Sequence, residues 1–221
     1  MRYPDRLNAL RLSIGVEYPS LHINIDNSRI FLRGALFIFD QPTGEEIDHY
    51  EIEIELPENY PKSIPIVREI GGRLPKIADR HFNSACGEAC LFLPDERFKY
   101  YPEGTSISDF IKSPVTQFFV SQTYYELTHQ WPFGQRSHGT LGIEEFYKEL
   151  LHTNNPKVVL TFLEFLSRKE VKGHHQCYCR SGKKIKNCHL SKMVDARLKI
   201  DRITAQGSLS KYKEYISQNS N

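Results

Sequence analysis

Tyr50-Glu-Ile52-Glu-Ile54-Glu-Leu56 alternates apolar and acidic residues without a break. Successive side chains of a strand point to opposite faces, so this segment needs a core on one side and water on the other. An antiparallel sheet with one wet face satisfies both demands, and it limits what the neighbouring segments can be. Leu21, Ile23 and Ile25 alternate in the same way; Ile30 to Phe39 is a longer apolar run, with Asp-Asn-Ser between the two as turn material. Gln41-Pro-Thr-Gly44 makes the next turn, Ile64 to Ile70 supplies a fourth strand, and Gly71-Gly72 ends it. Upstream, Leu7, Leu10 and Ile14 stand at helical spacing after Pro4, which predicts a helix from about 4 to 15. The expected class is α+β: an N-terminal helix, a four-stranded antiparallel meander, an irregular stretch, then helices.

Further along, Ser106 to Leu127 reads as a core helix that Pro114 must break or kink. Residues 131–139 form a loop, and Ile143, Phe146, Tyr147, Leu150 and Leu151 then share one helical face. Asn154-Asn155-Pro156 stops that helix and starts another, whose face of Val159, Phe162, Leu163 and Leu166 continues to about Val171. Leu190 to the C-terminus reads as a polar helix with a frayed tail. Charge changes sign along the chain: residues 1–167 carry 16 Lys and Arg against 23 Asp and Glu, whereas residues 168–202 carry 11 against 3. An acidic body and a basic appendage follow, divided as 1–153, a connecting helix 154–171, a motif at 172–190 and the C-terminal helix and tail 191–221. No apolar run reaches the roughly 20 residues of a membrane span, and Met-Arg-Tyr-Pro-Asp lacks the apolar core of a signal peptide, so a cytoplasmic protein with no membrane partner is expected.

Five cysteines fall into a pair, Cys86 and Cys90, and a trio, Cys177, Cys179 and Cys188, an odd count that points to metal binding or catalysis rather than a disulfide framework. Cys90 lies in His81-Phe-Asn83-Ser-Ala-Cys86-Gly87-Glu-Ala-Cys90-Leu-Phe-Leu. A thiol is partly ionised near neutral pH and strongly nucleophilic, so it can hold an acyl group as a thioester. Acyl transfer builds charge on the carbonyl oxygen, which an Asn side chain such as Asn83 can stabilise. A lone cysteine beside Leu-Phe-Leu is more often a core residue. Cys86 is open to three readings: the nucleophile itself, a redox partner, or an inert core residue.

The flanking sequence favours the catalytic reading. Leu56-Pro-Glu-Asn-Tyr60-Pro61-Lys-Ser-Ile64-Pro65 precedes the cysteine and Tyr100-Tyr101-Pro102-Glu-Gly-Thr105-Ser-Ile107 follows it. Over roughly residues 5–125 the chain resembles the ubiquitin-conjugating enzyme family. That family carries Phe-Pro-x-x-Tyr-Pro-x-x-Pro-Pro, His-Pro-Asn, Gly-x-x-Cys-Leu with the thioester cysteine, and an aromatic-Pro and Thr-Ile segment, in this order. Leu56, Ile64, Phe82 and Tyr100 depart from the pattern, and the His-to-Cys interval is one residue shorter. Trp131-Pro-Phe-Gly followed by Arg-Ser-His138-Gly looks like the family's bacterial branch, found beside antiviral signalling enzymes; His138 is a candidate acceptor for the proton of an incoming amine, although a histidine in such a loop more often simply bonds to the backbone.

The resemblance implies a ubiquitin-conjugating-like fold, with Cys90 as nucleophile and Asn83 as oxyanion donor. It implies a transferase that carries a protein C-terminus as a thioester and passes it to a target lysine. By the same resemblance, the setting is CBASS-type antiphage defence, with a cyclic GMP-AMP synthase-like nucleotidyltransferase as cargo. Asp95 and Glu96 are lesser candidates for orienting or deprotonating the amine, since carboxylates after a loop are usually solvated. No Gly-rich nucleotide loop is present, so a separate activating enzyme or a pre-activated donor is required.

His174-His-Gln-Cys177-Tyr-Cys179-Arg-Ser-Gly-Lys-Lys-Ile-Lys-Asn-Cys188-His189 carries a second chemistry. Two close pairs of soft ligands separated by eight residues can fold back onto one tetrahedral zinc ion, and four protein ligands leave no open position, so the site would be structural. These residues are similar to the SEC-C zinc motif, with Arg180 where Gly is common. His174 and His175 are rivals to His189. Two other functions remain open: a non-catalytic binding module on the same fold, and a zinc-dependent nucleic-acid adaptor using the basic residues around the motif.

Overall fold

The computed structural model describes residues 3–40, 42–132, 137 and 139–219. Their side chains are described from 10 onward, with Asn8. They divide into two compact units, one of residues 1–92 and 100–135, the other of residues 93–99 and 136–221.

In the first unit, helix α1 (Tyr3–Glu17) precedes strands β1 (Leu21–Asp26), β2 (Arg29–Phe39), β3 (Glu46–Leu56) and β4 (Ile66–Glu69). All pair antiparallel in sequence order, with Leu32 opposite Ile54 and Ile54 opposite Val67. The alternation in β3 does what its pattern demands: Tyr50, Ile52, Ile54 and Leu56 are buried. On the other face Glu53 and Glu55 meet Arg33, Arg29 and Arg68. The sheet has six strands rather than the expected four, because β5 (Phe82–Asn83) and β6 (Glu88–Ala89) extend it beyond β4 in the order β1-β2-β3-β4-β6-β5. Strands of two residues are too short to carry a period-two signal, which is why the pattern stops at β4.

After the one-turn helix α2 (Arg97–Tyr100), helix α3 (Ile107–Phe110), capped by Ser106, runs through a π-helical turn at Ile111–Val115 into α4 (Thr116–Thr128). Pro114 lies inside that turn, where the wider ladder accommodates its missing N–H. Phe110, Ile111, Val115 and Phe119 close the core over the sheet.

The second unit takes in α5 (Gly139–Leu151), α6 (Pro156–Leu166), the Cys/His segment, α7 (Leu190–Lys199) and α8 (Arg202–Gln218). Its core joins Phe146 and Tyr147 to Phe162 and Leu163, Tyr178 and Ile185, Met193, Ala205 and Tyr212. The boundaries drawn at 153, 171 and 190 cut through this core; the stop signals at Asn154-Asn155-Pro156 end a helix, not a domain. The C-terminal segment is likewise two amphipathic helices rather than one polar helix. Asp201 divides them, its carboxylate accepting from the backbone N–H of Ile203 and Thr204 at 2.9 Å each.

Candidate functional site

The stretch around Cys90 is a tight hairpin. Asn83 opposes Glu88 and Phe82 opposes Ala89; the Cys90 N–H donates to the His81 carbonyl at 2.8 Å, one step further along. Opposed residues of a ladder share a face, as do residues two apart. Phe82 and Ala89 therefore turn toward the core, where Phe82 is 2% exposed, while Cys90, His81, Asn83 and Glu88 belong to the outer face. The turn closes on Gly87, whose φ of 68° suits a residue without a Cβ; its N–H reaches the Asn83 carbonyl at 2.7 Å.

Cys90 and Cys86 are both exposed, so neither is an inert core residue, and neither is in a disulfide. Asn83 shares Cys90's face, and its side-chain oxygen accepts from the Ala85 N–H at 3.1 Å. That bond commits the oxygen to the turn, and the amide NH₂ is the end an oxyanion would use. The hairpin's entry is held by rings that the sequence did not mark. His81 meets Trp131 edge-on at 4.6 Å, Trp131 stacks on Tyr125 at 4.6 Å, and the Arg80 guanidinium lies 4.8 Å above Tyr125. Four positions spread over 51 residues gave no local pattern to find. His138 lies outside the described residues.

Asp95 and Glu96 are 1% and 2% exposed, so neither is the solvated carboxylate expected and neither is open to an incoming amine. Tyr147 donates to Asp95 at 2.5 Å and Ser208 donates to its other oxygen at 2.7 Å; Glu96 pairs with Lys99 at 3.0 Å. Burial, opposed by these hydroxyl donors, raises the Asp95 carboxyl above its ordinary range.

The Cys/His segment gathers Cys177, Cys179, Cys188 and His189, whose donor atoms all lie within 4.8 Å of one another and can hold a metal ion. The Cys177 Sγ–His189 Nδ1, Cys188 Sγ–His189 Nδ1 and Cys179 Sγ–Cys188 Sγ distances are 3.3, 3.2 and 3.6 Å. A tetrahedral S₃N centre with metal–sulfur bonds of about 2.3 Å has edges of about 3.6–3.8 Å, so the donor set fits with a slight opening. The fold back is made by backbone bonds: Cys177 N–H to Lys183 at 2.8 Å and Ile185 N–H to His175 at 2.8 Å. His175 instead turns its Nδ1 to the Lys172 N–H at 3.3 Å and its ring to Phe165; neither it nor His174 joins the cluster.

Ser181, unremarked in the sequence, lies 3.2 Å from Cys179 Sγ. Burial pushes the Cys177 thiol up to about 11. Burial acts the same way on Cys179, but hydrogen bonds from the Ser181 hydroxyl and backbone and from the neighbouring thiols outweigh it, bringing Cys179 to about 6. Thiols this close share protons and release them when a cation takes their place.

No protein-family model matches the chain, and no curated protein or solved structure matches it. Among the described residues no helix is long and apolar enough to cross a membrane. Fold and sites together define an α+β protein with a six-stranded antiparallel sheet, an exposed cysteine on an edge hairpin and a four-donor Cys/His cluster.

Proposed function

We propose that the chain is a ubiquitin-conjugating-like cysteine transferase with a structural zinc ion. The observation that carries the reading is the edge hairpin, with Cys90 exposed beside Asn83 on one face. Support comes also from the helix, the antiparallel meander and the Tyr60-Pro61 and Tyr101-Pro102 segments in the family's order.

In the first step the Cys90 thiolate attacks the carbonyl carbon of a donor thioester, and the donor sulfur leaves as the new thioester forms. In the second a lysine amine attacks that thioester; the C–S bond breaks, Cys90 regains its thiolate, and the nitrogen loses a proton to solvent. Both steps pass through a tetrahedral oxyanion, to which the Asn83 NH₂ donates. Asp95 and Glu96 have no part in this chemistry, being buried and bonded. Cys177, Cys179, Cys188 and His189 would hold the zinc ion, which as a closed four-ligand centre supplies folding energy. The cargo is a protein with a reactive C-terminus, such as the nucleotidyltransferase that the resemblance implies, delivered by an activating enzyme or in activated form.

Intact mass of the protein co-expressed with its genomic neighbours tests this. An adduct that thiols release from the wild type and that is lost in Cys90→Ala supports the transferase and gives the cargo's mass. An adduct that survives Cys90→Ala moves the nucleophile to Cys86 and removes Cys90 from the chemistry; none in the presence of a functional activating partner sinks the transferase in favour of the binding module.

A further inference from the structure

Beside the Cys/His cluster lies a groove of about 550 Å³, walled on one side by α6 and the residues after it and on the other by the Cys177–Gly182 turn. Its chemistry is one-sided. Arg168 and Arg180 line it with Thr161, Gln176 and His175, and no carboxylate does. Neither arginine is in an ion pair among the described residues, although nearby cations such as Lys172 and Lys213 have found Glu170 and Glu164. The Arg168 guanidinium lies over the Phe165 ring, 4.2 Å from its centre, a cation–π contact that holds the group in place without neutralising it.

Arg180 gives an independent sign. It sits at φ 64°, the left-handed conformation that glycine adopts without cost and that a long side chain pays for with about 1 kcal/mol or more of strain. At this turn glycine would serve the fold better, so the guanidinium is kept for something other than folding.

We infer that this groove binds the phosphate backbone of a nucleic acid, independently of the chemistry at Cys90. Planar guanidinium groups match phosphate oxygens with paired hydrogen bonds. Exposed Lys183, Lys184 and Lys186 carry the positive surface onward from the groove, as a repeating anion requires. An acidic peptide is the poorer match. Peptide recognition draws much of its energy from apolar side chains entering pockets, and the apolar ring lining this groove, Phe165, is 4% exposed and already covered by Arg168. Because the contacts argued for are to phosphate, binding is expected to be indifferent to sequence and steeply dependent on salt.

The test is fluorescence anisotropy of the full-length, metal-loaded protein with labelled 20-nucleotide DNA and RNA single strands from 50 to 300 mM NaCl. Arg180→Gly removes the charge while relieving the backbone, so weakened binding in that variant does not come from unfolding; melting temperature confirms it. Arg180→Gly and Arg168→Gln together should weaken binding about tenfold or more and lower the slope of log K against log salt by about 0.7 per lost phosphate contact. Cys90→Ala should bind like the wild type. Wild-type-like affinity and slope in the double variant, or no binding by the wild type at 50 mM NaCl, overturns the inference. So does tighter binding of a 20-residue polyglutamate peptide than of either strand, which would assign the groove to an acidic protein.

Discussion

The two groups of cysteines put one kind of atom to opposite uses. Cys86 and Cys90 stand exposed on a hairpin whose core contacts are made by Phe82 and Ala89 between them in register. Cys177, Cys179 and Cys188 are drawn together with His189, and Cys177 is buried. The first pair is open to solvent, whereas three thiols and an imidazole face one another closely enough that a cation could bind between them.

Replacing a residue in each group should therefore have very different effects on stability. Cys188→Ser is expected to lower metal content from one equivalent toward none and to destabilise the second unit by more than about 3 kcal/mol. Elemental analysis and hydrogen exchange over residues 172–200 measure both; unchanged protection without metal would mean that Tyr178 and Ile185 hold the segment alone. Cys90→Ala should stay within about 0.5 kcal/mol of wild type in denaturant melts, because it removes no buried group. A large loss there would erase the contrast.

Asn83 sharpens it further, since one side chain serves both the turn and the proposed chemistry. Asn83→Asp keeps an acceptor for the Ala85 N–H and removes the NH₂. Transfer from Cys90 should fall by about 10²–10³-fold while stability changes little. Asn83→Ala should lose a similar amount of transfer and about 1 kcal/mol of stability besides. Equal transfer rates for wild type and Asn83→Asp in single-turnover assays would remove Asn83 from the mechanism.

The smallest effects are in pH. Burial raises the Asp48 carboxyl, but hydrogen bonds from Arg73 and Thr123 outweigh it and hold Asp48 at about 2. With its folded value below the unfolded one near 3.8, it contributes stability that is present above about pH 4 and lost as pH falls toward 2. Asp95 has the opposite sign. Burial raises it, so its contribution is present below 3.8 and is lost as pH climbs through its folded value. Asp48→Asn should flatten the acid limb of the stability–pH curve, and Asp95→Asn should remove the loss of stability as pH climbs toward neutrality. Parallel shifts in both variants would refute the assignment.

Much of the first unit was legible because its segments are long and periodic. The helix foreseen at 4–15 runs from 3 to 17, and the strand whose alternation starts at Tyr50 begins at Glu46. The Cys177, Cys179, Cys188 and His189 cluster was legible because donors that can share one ion need close spacing in pairs. What escaped notice depends on distant partners. Nothing local in Leu93-Pro-Asp95-Glu96 says that its carboxylates are buried; that follows from Tyr147, 52 positions on, and Ser208, 113 positions on. The groove arginines read as part of a general basic run, and only the left-handed backbone at Arg180 sets one of them apart.

Ser208 also has a consequence in time. A ribosome delivers the chain from its N-terminus, so the strands that carry Cys90 emerge while α8 is still unmade. Residues 93–99 belong to a unit whose other members begin at 136, and Asp95 gains its last hydrogen bond only when residue 208 has been added. During that interval a carboxylate destined for the interior sits five residues past Cys90 without its Ser208 partner. A transcript cut short before α8 would leave it so permanently.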